Sequence, residues 1–141
     1  MSELNSDLIE AHKAAVGVLK NSHSPYSHLK VGAALKVKGQ EELVLGTNVE
    51  NASFGATICA ERAAILQAIS RYGNPGFEYM VIVSDSPSGM IPPCGMCLQV
   101  MQEFVDENFP IHLGTQNKLV KTVLFSEMVP IRFLKEMLPR P

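Results

Sequence analysis

The sequence has no excess of positive charge: 12 lysines and arginines stand against 14 aspartates and glutamates, a formal net charge of −2. A nucleic-acid partner asks for a basic excess or stripe, so small substrates suit this chain better. Nor is there an apolar run long enough for a bilayer. Met80-Val81-Ile82-Val83 falls far short of the ~20 residues a spanning helix needs. The stretch Met1 to Asp7 is polar and acidic, without the basic segment and apolar stretch of a secretory leader. A soluble cytoplasmic protein is expected. No internal repeat, linker or low-complexity tract breaks the chain. Its 141 residues, 46% of them hydrophobic, are the right size for one domain, 1–141, around one core.

Cysteine is scarce and odd in number: Cys59, Cys94 and Cys97. A disulfide framework prefers an even count in a secreted chain. Three cysteines in a cytosolic domain are more often metal ligands or redox groups, and either role needs them close in space.

Hydrophobic spacing predicts a helix over Leu4–Lys20, with Leu8, Ile9, Ala11, Ala15, Val16, Val18 and Leu19 at helical intervals. After a loop through Pro25, the alternation of Leu29, Val31, Ala33, Leu35 and Val37 predicts a strand. A turn at Lys38-Gly39-Gln40 and a hairpin partner over Leu43–Val49 follow. Ala60–Tyr72 is rich in helix formers and is stopped by Gly73-Asn74-Pro75-Gly76. Tyr79–Ser84 is almost wholly apolar and predicts a central strand buried on both faces. A third helix is expected from near Cys94 to about Asn108, strands over Pro110–Leu113 and Leu119–Phe125, and a terminal helix over Ile131–Leu138. Helices interleaved with strands favour an α/β fold in three layers, a mixed five-stranded sheet flanked by helices on both faces.

All three cysteines fall where a loop becomes a helix. There the positive end of the dipole and unpaired N–H groups favour thiolate, the form that binds zinc. Cys94 and Cys97 share one side of a first helical turn, and Cys59 arrives from another helix start. Three protein ligands with one open position is the catalytic zinc pattern; structural sites close all four. Two other readings stand beside it. A Cys-x-x-Cys ahead of a helix also suits a redox site, but redox chemistry has no use for Cys59-Ala60-Glu61. A structural zinc closed by His12, His23, His28 or His112 is the other, though none has tight spacing to a cysteine.

Cys59-Ala60-Glu61 followed by Pro93-Cys94-Gly95-Met96-Cys97 fits the zinc-deaminase pattern of His or Cys, any residue, Glu, then Pro-Cys-x-x-Cys. The three-cysteine version, the short length and Asn48-Val49-Glu50-Asn51 resemble the small homotetrameric cytidine deaminases. So do Pro25-Tyr26-Ser27 with Val31-Gly32-Ala33-Ala34, and Glu127-Met128-Val129-Pro130 with Phe133. The resemblance covers nearly the whole chain.

It implies hydrolytic deamination of cytidine and deoxycytidine, with one zinc per chain held by Cys59, Cys94 and Cys97. Zinc would lower the pKa of a bound water, and Glu61 would shuttle its proton. Arg62 would offset the charge of three thiolates by hydrogen bonds to sulfur. Asn48 and Glu50 match residues that hold the ribose 3′-hydroxyl, and Ala60 the position whose N–H meets the pyrimidine O2. Phe133 matches an aromatic that a neighbouring subunit places against the base, so active sites would be shared between chains of a homotetramer. Three positions depart from the family. Leu98 stands where many relatives have Arg, Leu29 where they often place a Phe against the base, and Phe54 where they often have Tyr. These departures keep another aminated heterocycle, such as a blasticidin-type nucleoside, as the alternative substrate. The acidic balance argues against a nucleic-acid editor, and Glu61 against a purely structural zinc domain.

Overall fold

The computed structural model describes residues 2–139. Five strands, β1 (Val31–Val37), β2 (Val44–Thr47), β3 (Phe77–Ser84), β4 (Pro110–Thr115) and β5 (Leu119–Leu124), lie in the order β2-β1-β3-β4-β5. The helices are α1 (Ser2–Val18), α2 (Ala60–Tyr72), α3 (Gly95–Gln102) and the single turn α4 (Phe125–Met128). β1 pairs antiparallel with β2 and β3, β3 parallel with β4, and β4 antiparallel with β5. The sheet is therefore mixed, as expected, and its one parallel step needs a crossover, which carries α3.

The central strand divides the core by its period of two. Val81 and Val83 pack with Ala34 beneath Ala11, Ala15 and Leu19, on the α1 side. Met80 and Ile82 face the other way, with Ala33, Leu35, Ile111 and Leu113 against Ala64, Ile65 and Ala68 of α2 and Met101 of α3. Each large aliphatic side chain buried there contributes about 1.5–3 kcal/mol. Small residues set how closely the layers approach. A Cβ on Gly46 would collide with the Ala60 carbonyl oxygen and lie 2.5 Å from the Ala64 nitrogen, so α2 rests directly on β2.

Several sequence-derived boundaries need correction. The first strand begins at Val31 and its partner ends at Thr47. Leu29, Asn48 and Glu50 therefore lie in connecting segments, where Val49 makes isolated bridges to His23 and Ile58. α3 stops at Gln102 rather than near Asn108. The Asp106 side chain accepts from the Asn108 N–H at 2.9 Å, a local bond that competes with the helix, while Phe104 turns in against Phe77. β5 yields at Phe125 to α4, where Glu127 accepts the Leu124 N–H at 2.8 Å. The terminal helix is absent but for one 3₁₀ turn, Lys135–Met137. Eight residues make a marginal helix unless one face is packed, and Ile131 is 92% exposed.

Candidate active site

Cys59 is the N-cap residue of α2 and Cys94 the N-cap residue of α3. Neither side chain bonds its own helix end, so both sulfurs are free to turn towards each other. Cys97, buried in the first turn of α3, completes the group. Cys59 Sγ lies 3.9 Å from Cys94 Sγ, Cys94 Sγ lies 3.6 Å from Cys97 Sγ, and all three fall within 4.8 Å of one another. Thiolates around a tetrahedral zinc at ~2.3 Å are spaced about 3.8 Å apart. The donor set thus fits zinc in chemistry and spacing, with three ligands in the group and no fourth among the described residues. No histidine joins the group among the described residues. His12 instead bonds the Thr115 carbonyl and His112 the Thr122 hydroxyl. Three converging thiols also exceed what a two-cysteine redox site uses.

A hydrogen bond from Cys97 and the Arg62 guanidinium bring the Cys59 thiol down to about 5. Cys97, the donor to Cys59 and itself buried, is held above the ordinary thiol range. Arg62 Nη2 donates to Cys59 Sγ at 3.4 Å and to the Thr57 carbonyl at 3.3 Å. Glu61, only 4% exposed, reaches Cys97, and burial raises its carboxyl above the usual carboxylate value. Ala60 is the first residue of α2, and a first-turn N–H has no partner within the helix. Leu98 is half-buried against the core, so no cation follows Cys97.

Asn48 and Glu50 both turn to the loop between α1 and β1. Asn48 Oδ1 accepts from Ser22 Oγ at 2.6 Å and the Val31 N–H at 3.0 Å, and its Nδ2 donates to the Leu29 carbonyl at 2.8 Å. Glu50 accepts from the Tyr26 and Ser27 N–H groups at 2.9 and 3.1 Å and from the Ser27 hydroxyl. The Ser27 hydroxyl lowers its pKa most, so the carboxylate stays ionised. Tyr26, Ser27, Glu50, Phe54 and Thr57 line an open cavity of about 360 Å³. Phe54, 74% exposed, meets Tyr26 edge-on at its rim.

Of the residues singled out from sequence, the fold gathers Cys59, Glu61, Arg62, Cys94 and Cys97 into one cluster and places Glu50 and Phe54 on one cavity. Leu29 packs against the core and does not line that cavity. Phe133 does not line it either. It is 57% exposed, with its carbonyl accepting from Gln99 of α3 at 3.3 Å. Sequence reasoning quoted Ser27 only within the Pro25-Tyr26-Ser27 resemblance, without a role, and gave Ser22 and Thr57 none. Hydroxyls that bond across the chain leave no spacing signal.

The family model for the cytidine and deoxycytidylate deaminase zinc-binding region matches residues 5–113. A cytidine deaminase of Halalkalibacterium halodurans is 36% identical over 124 residues, covering 88% of this chain and 92% of that one. The crystal structure of a cytidine deaminase from Burkholderia pseudomallei superposes with a TM-score of 0.81 at 34% identity, over 88% of this chain and 97% of that one. A blasticidin-S deaminase of Bacillus cereus is 26% identical over 96% of each chain.

Proposed function

This chain belongs to the cytidine and deoxycytidylate deaminase family, and from that premise we propose that it hydrolyses cytidine and deoxycytidine to uridine and deoxyuridine, releasing ammonia. The observation that carries the reading is the convergence of three thiols beside the buried Glu61, with Glu50 facing a nucleoside-sized cavity. Cys59, Cys94 and Cys97 would hold one zinc ion per chain. When bound, zinc supplies the Lewis acidity that makes water nucleophilic near neutral pH. Glu61 takes one proton of the attacking water and gives it to ring N3 as C4 gains oxygen. It then takes the second proton from the C4 hydroxyl and delivers it to the amino group, which leaves as ammonia as the C4–N bond breaks and the C4 carbonyl forms. Its raised pKa suits a group that must both accept and donate.

Arg62 offsets thiolate charge through its bond to Cys59. In this reading the Ala60 N–H donates to the pyrimidine O2, while Asn48 and Glu50 take the sugar hydroxyl. Leu29 and Phe54, aliphatic and unhydroxylated where relatives stack or bond, leave the base and sugar more loosely held. Phe133 points out of its own chain, and the reading gives it to a neighbouring subunit's site in a homotetramer. Three free thiols fit a reducing compartment, hence a cytoplasmic salvage enzyme. No helix among the described residues is long and apolar enough to cross a membrane.

The full-length similarity to a blasticidin-S deaminase supports a second reading, a blasticidin-type substrate. Absorbance loss with cytidine, deoxycytidine, cytosine and blasticidin S, each offered separately, decides. The reading expects the two nucleosides to be turned over much faster than the free base. Faster turnover of blasticidin S, or none of either nucleoside, overturns it.

A further inference from the structure

The cavity-lining loop at Tyr26 and Ser27 is tied to Glu50 by two backbone N–H groups and one hydroxyl. Ser27 Oγ donates to Glu50 Oε2 and itself accepts the Leu29 N–H at 3.1 Å. Glu50 Oε1 is occupied by the Tyr26 and Ser27 N–H groups. The chain reaches this geometry through His28, whose φ of 60° is left-handed, with its N–H bonded to the Ser24 carbonyl at 3.0 Å. An ionised carboxylate offers about four acceptor directions. Two backbone donors and one hydroxyl use three, so the remaining capacity lies on Oε2, the oxygen that Ser27 orients.

We propose that Ser27 is a positioning residue for the sugar: it fixes the Glu50 carboxylate so that Oε2 keeps one direction open for a sugar hydroxyl, and it couples that contact to the loop carrying Leu29. The inference rests on the nucleoside reading above. Two observations support a role beyond holding the loop. Ser27 is exposed, so its hydroxyl is not there to satisfy a buried group. The loop also has its own ties, from Asn48 to Leu29 and Val31, which survive without Ser27. Ser27 acts through Glu50 rather than on the reacting atoms, so its effect belongs in KM and in discrimination between sugars.

The experiment measures kcat and KM of the zinc-loaded enzyme and its Ser27→Ala and Ser27→Thr variants on cytidine, 2′-deoxycytidine and 2′,3′-dideoxycytidine. The last substrate lacks the 3′-hydroxyl. A hydrogen bond to a charged group justifies an expectation of about a tenfold rise in KM of Ser27→Ala for the two 3′-hydroxylated nucleosides, with kcat within about twofold. The dideoxynucleoside loses proportionately less, so the preference for a 3′-hydroxyl collapses. Ser27→Thr, which keeps the hydroxyl, restores it. An equal penalty on all three nucleosides, or no recovery with Thr, overturns the role of Ser27 while leaving the deaminase reading intact. A wild-type enzyme inactive on all three overturns that reading, and this inference with it.

Discussion

Arg62 Nη2 lies 3.4 Å from Cys59 Sγ, one helical turn back, and the same nitrogen bonds the Thr57 carbonyl that precedes the helix. One guanidinium therefore clamps the start of α2 while lending positive charge to a thiolate. With Leu98 in place of a second cation, it is the only arginine bonded to the cluster among the described residues. Arg62→Gln keeps a polar side chain but shortens it and loses both the charge and the Nη2 bonds to Cys59 and Thr57. We expect activity to fall about 10–100-fold, the range for partners that support metal ligands, with zinc content falling less. Metal analysis alongside kcat/KM checks this, and unchanged activity removes Arg62 from the site.

Metal content tests the thiol cluster directly. Protein purified without added metal should carry one zinc per chain, and Cys94→Ala should carry almost none. Because ligand binding to the native state stabilises it by mass action, about 2.7 kcal/mol at a hundredfold excess over Kd, chelation should lower Tm. Full activity with no zinc present would sink the assignment.

Glu61→Gln retains shape and removes the titratable proton. One acid/base group commonly supplies ~10²–10⁴ in rate, and a residue that serves several transfers should supply more. Activity should drop by at least that factor while zinc content and Tm stay close to wild type. Turnover near the wild-type rate would take Glu61 out of the chemistry.

The sequence made the site's chemistry more legible than its shape. Cys59, Glu61, Cys94 and Cys97 could be grouped because helix starts and short spacings are local features, and the structure places Cys59 and Cys94 at N-caps and Glu61 and Cys97 in the first turns that follow. The core strands were equally legible, since alternation along β1 and the apolar run of β3 report burial directly. Less legible was whatever depends on contacts distant in sequence. α3 ends early because Phe104 finds Phe77, and the bonds of Asn48 and Glu50 to the 22–31 loop cross more than 15 residues. The terminal segment misled because its apolar residues are spaced like a helix but have no partner surface on this chain.

Close packing of α2 on β2 gives a test of how the fold positions Glu61. A methyl at Gly46 must push against the Ala60 and Ala64 backbone, which cannot move without shifting the first turn of α2. Gly46→Ala should cost about 1–3 kcal/mol, a Tm drop of roughly 3–10 °C, and lower kcat as well. Gly17→Ala is the control. Nothing lies within 4 Å of a Cβ there, and in a helix the exchange should hold or raise Tm. If Gly46→Ala matches Gly17→Ala in Tm and rate, β2 does not set the position of α2.

The last prediction concerns the tail. Ile131, Phe133, Met137 and Leu138 are all exposed on this chain. A run of apolar side chains left in water marks an interaction surface. Gln99 and the Arg132–Glu107 pair at 3.7 Å hold the tail's backbone against α3 and the following turn. The segment is thus fixed in place while its side chains face outward, which suits a surface that completes another copy's site. In a homotetramer with shared sites, Phe133→Ala removes the aromatic from a neighbour's pocket, and Glu61→Gln removes the proton shuttle from its own. Each variant alone should be weak. Co-refolded, some pockets receive Glu61 from one chain and Phe133 from another, so part of the activity should return. Light scattering and activity of the mixture are read together. If mixed tetramers form and no activity returns, Phe133 serves its own chain's site or none. If the protein is monomeric and fully active, the shared-site arrangement is wrong.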